Sequence, residues 1–180
     1  LMITSIDENG FARFAKLGGL HPEALIGKTV RFTNGVQGVL CKEEKQPLKE
    51  LQLKHLYVDV GADSREAAEA LIRPGDVAAP QGCLTQLQTR FCGKSLDDKL
   101  GCLVLAETVK RLKAPKNDCW FVFTVQEELG LRGAKTAAYA LEPDFAVAVD
   151  VTVAGDTPNG QALPMKLGAG PAVKLRDASV

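Results

Sequence analysis

The chain has 180 residues, of which 46% are hydrophobic, so it can form one substantial core or two small ones. Its 22 basic and 22 acidic residues balance, which argues against nucleic acid or an anionic membrane surface as a partner. No apolar run approaches the ~20 residues of a membrane span, and the start of the chain lacks the basic flank of a signal peptide.

The five cysteines are widely spread and none forms a C-x-x-C pair, which argues against a zinc knuckle. Their odd number favours reduced thiols in a cytosolic protein. Cys102 and Cys119 lie in apolar surroundings and are predicted to be small core residues.

The first half of the chain has the pattern of a small β-rich domain. Alternating residues predict strands over residues 1–6, 11–14, 27–32, 36–40 and 56–60. Asn-Gly pairs at 9–10 and 34–35 supply hairpin turns. The charged stretch 42–54 predicts a solvated loop or helix. A short helix follows Asp63 or Ser64 as its N-cap. Residues 7–88 are therefore predicted to form a β-rich domain with one helix.

The second half has a different sequence pattern, in which predicted helices alternate with apolar strands. Helical spacing of apolar residues predicts a helix over 98–112, and residues 133–141 also read as helical. The apolar runs 119–125 and 145–151 are typical of strands buried on both faces. This rhythm predicts an α/β layer with a parallel sheet.

Acidic residues lie at the strand ends and at one helix start. Asp97 and Asp98 open the predicted helix, Glu127 and Glu128 follow the first buried strand, and Asp150 ends the second. Ligands of open α/β sheets bind beyond the carboxyl ends of the strands, so these acids are expected at one edge. Their mutual repulsion favours a bound cation, and carboxylate oxygens suit zinc, manganese or cobalt. One glutamate could bind metal while its neighbour acts as a base.

Each acid also has a plain structural explanation. Asp97 could simply cap the helix, because aspartate is a favoured N-cap. Glu127 and Glu128 could be an ordinary exposed pair. Asp150 is harder to explain in this way, since an acid that continues a buried strand usually has a partner. The pattern of residues leaves both interpretations open.

Several motifs then point to a family. The stretches that carry the resemblance are G-K-S-L-D-D-K-L-G-C at 93–102, F-T-V-Q-E-E-L-G-L-R-G-A at 123–134, V-D-V-T at 149–152, D-T-P at 156–158 and L-G-A-G-P at 167–171. They resemble the tetrahedral aminopeptidases, a family of glutamyl and deblocking dinuclear metallopeptidases, some members of which are labelled endoglucanase or cellulase M. The match extends through D-E-N-G-F at 7–11 and R-P-G-D at 73–76, and so spans nearly the whole chain.

The resemblance implies an α/β fold, in which a mixed, mostly parallel sheet is flanked by helices as in zinc peptidases, with a small β-rich dimerisation domain inserted. Residues 1–6 would be a catalytic-domain strand, 7–88 the dimerisation domain, and 89–180 the central part of the catalytic domain. The implied function is hydrolysis of N-terminal residues from peptides, with two divalent metal ions, zinc or cobalt with manganese as an alternative. The implied partners are peptides and further copies of the chain, as dimers or dodecamers, in the cytoplasm.

The resemblance also assigns roles to the acids. Asp97 matches the carboxylate that bridges the two metals, Glu128 a ligand of one metal and Asp150 a ligand of the other. Glu127 matches the general base, and Asp98 a neighbouring acid that orients groups around the site.

One feature departs from the family pattern. The family also uses two histidine ligands, one in an H-x-D pair just upstream of the stretch matched by residue 1 and one beyond residue 180. His21 and His55, the only histidines here, match neither position. The chain is thus predicted to be a piece of a longer protein that, alone, binds metal weakly and is inactive. The alternatives are a non-catalytic binding or oligomerisation module, and a glycoside hydrolase, which would use two carboxylates and no metal.

Overall fold

The computed structural model describes residues 1–174. The chain divides into two compact units. Unit 1 consists of Leu1–Lys94 and Thr124–Ala140, and unit 2 of Ser95–Phe123 and Leu141–Val180, of which the last six residues lie outside the described part. The predicted domain 89–180 therefore ends beyond the described residues.

Unit 1 is built on a six-stranded antiparallel sheet. Its strands are β1 (Met2–Ile6), β2 (Ala12–Ala15), β3 (Thr29–Phe32), β4 (Gln37–Lys42), β5 (Leu56–Asp59) and β6 (Ala78–Pro80). Their order across the sheet is β1-β2-β5-β4-β3-β6, and every pairing is antiparallel. The strands predicted in this half of the chain are thus confirmed within a few residues at each end.

The sheet curls until its two edges meet. Leu1 and Ala78 exchange a pair of backbone hydrogen bonds of 3.0 Å, and the Ile3 N–H donates to the Asp76 carbonyl at 2.9 Å. The Gly75 N–H donates back to the Ile3 carbonyl at 2.8 Å. These bonds satisfy backbone groups that an open edge would leave unpaired, so the start of β1 closes against the approach to β6 as in a small barrel.

Side chains alternate between the interior of this barrel and its outside. Inward-facing apolar residues with at most 1% exposure are Ile3, Ala12, Val30, Leu40, Leu56, Val58, Ala68 and Ile72. On β2, for example, Ala12 and Phe14 are buried while Arg13 points outward. The period of two that predicted the strands is therefore the inside–outside alternation of the barrel wall.

The predicted turns and cap form as their chemistry suggests. Asp7 Oδ1 accepts the N–H groups of Asn9 and Phe11 at 3.0 Å. Gly35, in the turn between β3 and β4, has φ +93°, a conformation that favours glycine. Helix α1 (Arg65–Glu69) is capped by Ser64, whose Oγ accepts the Ala67 N–H at 3.3 Å. Of the two N-caps that the sequence left open, Ser64 is the one used.

The charged stretch 42–54 is a largely exposed connection, as predicted. It contains the 3-10 helices Leu48–Glu50 and Leu53–His55, while Leu51 is buried in the barrel core. Arg13 holds this connection to the barrel wall, because its guanidinium donates to the Glu43 carboxylate at 2.8 Å and to the Lys54 carbonyl at 3.0 Å. The other 3-10 helix of the barrel, Pro22–Ala24, follows β2.

The Tyr57 ring organises a small cluster on the outer face of the barrel. It packs against Phe11 with a centroid separation of 4.8 Å, and the Arg13 guanidinium lies 5.8 Å from its centroid. Partial burial, and then the nearby charge of Asp59, raise the pKa of the Cys41 thiol on the neighbouring strand. Burial likewise raises the pKa of Tyr57. Both shifts disfavour the ionised forms of these groups.

Unit 1 also contains a separate hairpin, β7 (Thr85–Gln86) paired antiparallel with β8 (Phe91–Cys92). The 3-10 helix Glu127–Leu129 and most of α3 (Arg132–Leu141) also belong to unit 1. The helix predicted over 133–141 is confirmed.

Unit 2 contains α2 (Leu96–Arg111), close to the helix predicted over 98–112. The structure differs from the prediction in two segments. Residues 119–125 and 145–151, both in the described part of the chain, do not form strands. Apolar side chains of these runs are exposed, including Trp120 at 67% and Phe145 at 83%. The physical reason is that a strand forms only where a neighbouring strand pairs with its backbone N–H and C=O groups. An apolar run predicts that a segment will be buried, but it does not supply that neighbouring strand. The predicted parallel sheet is thus absent from the part of the chain described here.

The cysteine prediction is correct in one respect and wrong in another. All five cysteines are free thiols. Cys102 and Cys119, however, are exposed rather than buried, because the apolar segments around them have no covering layer in the described residues.

No helix in residues 1–174 combines the length and the apolar character needed to cross a membrane.

Candidate functional site

The aspartate pair sits at an irregular entry to α2. Asp97 and Asp98 have non-helical backbone angles although they lie within the helix bounds, and the peptide bond between them is cis. Asp97 is exposed and Asp98 is half-buried. The regular helix therefore begins after Asp98, and both carboxylates belong to the segment that leads into it.

Asp98, rather than Asp97, acts as the cap of this helix. Its Oδ1 accepts the Gly101 N–H at 2.8 Å, three residues along the chain, as an N-cap side chain does. The plain structural role that the sequence suggested for Asp97 therefore belongs to its neighbour. Gly101 is buried, and a Cβ placed on it would come within 2.6 Å of Asp98 Oδ1. The lack of a side chain at position 101 is what lets the Asp98 carboxylate lie over the helix start.

The glutamate pair lies on a tight turn in unit 1. Glu127 and Glu128 open the 3-10 helix Glu127–Leu129, after Gln126 in a left-handed conformation with φ +58°. The Glu127 carbonyl accepts the N–H groups of both Gly130 and Leu131 at 2.9 Å. The turn is closed by its own backbone hydrogen bonds, so the two carboxylate side chains project from a defined backbone and are exposed.

A close approach of two backbone segments anchors this turn to α3. The Gly133 N–H donates to the Val125 carbonyl at 3.0 Å, and the Arg132 N–H donates to the Gln126 carbonyl at 3.3 Å. A Cβ on Gly133 would lie 2.5 Å from the Val125 carbonyl oxygen and 2.6 Å from its nitrogen. Only glycine permits this packing, so Gly133 fixes where the glutamate turn meets the helix.

Asp150 lies in an irregular part of unit 2. It is exposed, and its Oδ1 accepts the N–H of the next residue, Val151, at 2.6 Å. The acids are thus divided between the units: Glu127 and Glu128 in unit 1, and Asp97, Asp98 and Asp150 in unit 2.

Within residues 1–174, no three or more His, Cys, Asp or Glu side chains form a group able to hold a metal ion. The histidines do not fill this role in the part described. His55 Nδ1 accepts the Gln52 N–H at 3.2 Å within its own 3-10 turn, and His21 is an exposed loop residue. The donor chemistry of the carboxylates suits a divalent cation, but this segment alone does not assemble a complete set of ligands.

Two glycines that shape the site were not singled out from the sequence. Gly101 and Gly133 each lie inside a helical pattern, where glycine costs about 1 kcal/mol relative to alanine. A glycine retained at such a cost usually has a packing reason. That signal was present in the sequence, but the atoms that each glycine accommodates were visible only in the structure.

Comparison with known proteins assigns the family. The model of the M42 glutamyl aminopeptidases matches residues 1–180, the whole chain. A relative from Acetivibrio thermocellus is 48% identical over 181 residues, covering 100% of this chain and 55% of its own. The lysyl aminopeptidase of Pyrococcus furiosus is 35% identical over 187 residues, which cover 97% of this chain and 54% of the relative. The chain therefore spans about half the length of the curated relatives it matches.

Solved structures agree with this assignment and show that the mixed α/β fold is shared. An aminopeptidase of the archaeon Desulfurococcus kamchatkensis superposes with a TM-score of 0.84 at 36% identity, over 95% of this chain and 50% of that one. A Thermotoga maritima protein described as an endoglucanase gives 0.69 at 30% identity, over 87% and 47%. The TET1 peptidase of Pyrococcus horikoshii, described as assembling into a tetrahedron or a large octahedral shell, gives 0.69 at 29% identity, over 87% and 52%. The chain belongs to the M42 glutamyl aminopeptidase family.

Proposed function

We propose that the full-length protein containing this chain is a metal-dependent aminopeptidase that removes N-terminal residues from peptides. The observation that carries the proposal is the match of the whole chain to the M42 model, together with a glutamate pair on a turn closed by backbone hydrogen bonds. A base must keep a fixed position relative to the bond that it helps to cleave, and the turn closed by Gly133 provides such a position.

Glu127 is proposed as the general base, which takes a proton from the attacking water and passes it to the leaving amine. Asp97 is proposed to bridge two metal ions, with Glu128 and Asp150 each binding one of them. Asp98 is proposed to position groups around Asp97, since its carboxylate is held over the start of α2. These roles follow the family resemblance and agree with the exposure of Asp97, Glu127, Glu128 and Asp150.

Two divalent ions, when bound, would lower the pKa of a water and polarise the peptide carbonyl. Zinc or cobalt is proposed, with manganese as an alternative, because carboxylates are hard oxygen ligands and the family pattern adds imidazoles. Since the described residues do not assemble three ligands, we propose that the part of the relatives' length not spanned here supplies the rest, including the two histidines.

The part of the relatives' length that this chain does not span would also complete the predicted sheet. The exposed apolar runs 119–125 and 145–151 are proposed to become strands of a mostly parallel sheet when neighbouring strands and helices cover them. The barrel, whose sheet includes β1, would be the inserted dimerisation domain. We propose a cytoplasmic location, which the free thiols support.

Substitution of the two glutamates separates their proposed roles. In the full-length protein, Glu127→Gln should lower kcat on aminoacyl p-nitroanilides by about 10²- to 10⁴-fold while leaving the metal content unchanged. Glu128→Gln should lose bound metal as well as activity, because it removes a ligand. If Glu127→Gln retained wild-type kcat, the assignment of the base would be wrong.

The 180-residue chain alone should bind metal weakly and hydrolyse nothing quickly. Titration of zinc or cobalt by calorimetry measures this directly, and tight binding at two sites would contradict it. The physical reason is that catalytic zinc usually takes three protein ligands, and fewer are predicted for each metal in this segment.

Self-association is a second proposed property of this segment. The barrel is the part of the chain with a closed sheet and a continuous buried core, and the P. horikoshii relative is described as forming large shells. Light scattering combined with a p-nitroanilide assay distinguishes the possibilities for the full-length protein. Oligomers without turnover would favour a non-catalytic assembly module, and oligomers with turnover that a chelator abolishes would favour the aminopeptidase over a metal-free glycosidase.

A further inference from the structure

A loop of the barrel passes beside the Glu128 carboxylate. This loop, residues 16–20, follows β2 and contains the pair Gly18 and Gly19. A Cβ placed on Gly19 would lie 3.8 Å from Glu128 Oε2. Both residues belong to unit 1, so this neighbourhood is internal to one compact unit. The barrel therefore contributes a wall beside the glutamate turn.

Different features of the structure explain why glycine occupies each of the two positions in the loop. Gly18 has φ +80°, in the left-handed region that favours glycine, and a Cβ there would meet nothing within 4 Å. Backbone conformation explains its presence. Gly19 lies outside that region of φ, so other residues could adopt its backbone conformation. Among the residues described, the one atom that its Cβ would approach within 4 Å is Glu128 Oε2.

The distance shows what position 19 leaves open. At 3.8 Å a methyl group would rest in ordinary van der Waals contact with the carboxylate, so alanine would fit. A longer side chain would continue past its Cβ into the space beside the carboxylate, and Gly19 is itself exposed. The absence of a side chain thus leaves the space between position 19 and the Glu128 carboxylate unfilled by this loop.

The chemistry of an aminopeptidase indicates what would use that volume. The scissile carbonyl must lie within hydrogen-bond reach of the water that the base activates, near the Glu127–Glu128 turn. The bond cleaved is one residue from the amino end of the peptide, so the side chain of that N-terminal residue must lie in the same neighbourhood. Resting on the proposed function, we propose that Gly19 is a specificity-determining residue, which leaves room beside Glu128 for a large N-terminal side chain of the substrate.

The test uses the full-length, metal-loaded protein with the variants Gly19→Ala, Gly19→Leu and Leu17→Ala. Leu17 is in the same loop with its side chain 54% exposed, and serves as the control. The measurement is kcat/KM for phenylalanine p-nitroanilide and for alanine p-nitroanilide. Gly19→Leu should lower the phenylalanine-to-alanine ratio at least about tenfold, mainly through KM, whereas Gly19→Ala and Leu17→Ala should change it by less than about threefold.

The outcomes separate specificity from structure. Equal losses on both substrates, or an unchanged ratio in Gly19→Leu, would overturn the proposal, because a structural role affects all substrates alike. Loss of bound metal in Gly19→Leu would also overturn it, since the residue would then act through Glu128. Calorimetry with free phenylalanine and free alanine gives a readout that needs no turnover, in which Gly19→Leu should selectively weaken phenylalanine binding. If wild type cleaved no aminoacyl p-nitroanilide, those of glutamate and lysine included, the proposed function would fail. The ratio of the phenylalanine and alanine affinities from calorimetry would still decide the role of Gly19.

Discussion

The variant Gly133→Ala tests the claim that a close backbone approach holds the glutamate turn in place. The added Cβ would lie 2.5 and 2.6 Å from backbone atoms of Val125, about 1 Å inside the optimal separation for non-bonded atoms. Because the opposing atoms are backbone, rotation of a side chain cannot relieve the overlap. The segments must separate, and the 3.0 Å hydrogen bond from the Gly133 N–H to the Val125 carbonyl must weaken.

The magnitude follows from three opposing effects. Overpacking typically costs about 1–3 kcal/mol, and a weakened backbone hydrogen bond adds about 1 kcal/mol. Alanine is preferred to glycine inside a helix by about 1 kcal/mol, which offsets part of this cost. A net local destabilisation of about 2 kcal/mol remains. Helix propensity alone would predict the opposite sign, so the variant discriminates between the two effects.

Hydrogen exchange by mass spectrometry, on the peptide covering residues 124–133 of the full-length protein, is the direct assay. A local loss of about 2 kcal/mol should speed exchange there about 30-fold. Gly19→Ala is the matched control, since it adds the same methyl group with its nearest contact at 3.8 Å, and should leave exchange unchanged. Exchange as slow as wild type, or slower, in Gly133→Ala would refute the reasoning.

Three further predictions concern other parts of the molecule. Gly101→Ala should leave the free energy of unfolding within about 1 kcal/mol of wild type, because the gain in helix propensity offsets the lost cap. The added methyl group should displace the Asp98 carboxylate and lower kcat/KM about 10- to 100-fold. A wild-type kcat/KM would show that Asp98 has no positioning role. Ser64→Ala should cost the barrel about 1 kcal/mol in urea unfolding, whereas the same stability as wild type would mean that the Ala67 N–H finds another partner. The pKa of the Cys41 thiol is raised in the folded barrel, so the unfolded chain ionises first, and stability should fall as pH rises above the ordinary thiol value of about 8.5 until the folded pKa is passed. Cys41→Ser should flatten part of this decline, and an unchanged pH profile would contradict the assignment.

The barrel could be predicted from the sequence because its signals are local. Alternating residues, the Asn34–Gly35 turn and the Ser64 cap each depend on contacts within a few residues, and they are found where expected. Closure of the sheet could not be predicted, since it depends on bonds between Leu1 and Ala78, far apart in sequence.

The second half shows the complementary limit. An apolar run such as 119–125 predicts that the segment is buried. Whether the segment forms a strand depends on neighbouring strands and helices, which residues 1–174 do not provide. The acids themselves could be selected from their motifs. Their environment could not, because the choice of Asp98 as the cap, the fit of Gly133 and the position of Gly19 are set by distances of a few ångströms.

The central claim is that Asp97, Glu128 and Asp150 are the carboxylate ligands of a two-metal site in the full-length protein. The most direct measurement is the number of divalent ions retained per chain, by mass spectrometry of the purified protein, in wild type and in Asp97→Asn. Because Asp97 is assigned as the bridging ligand, wild type should retain about two ions and Asp97→Asn about one or none. Equal retention of two ions by both proteins would contradict the account.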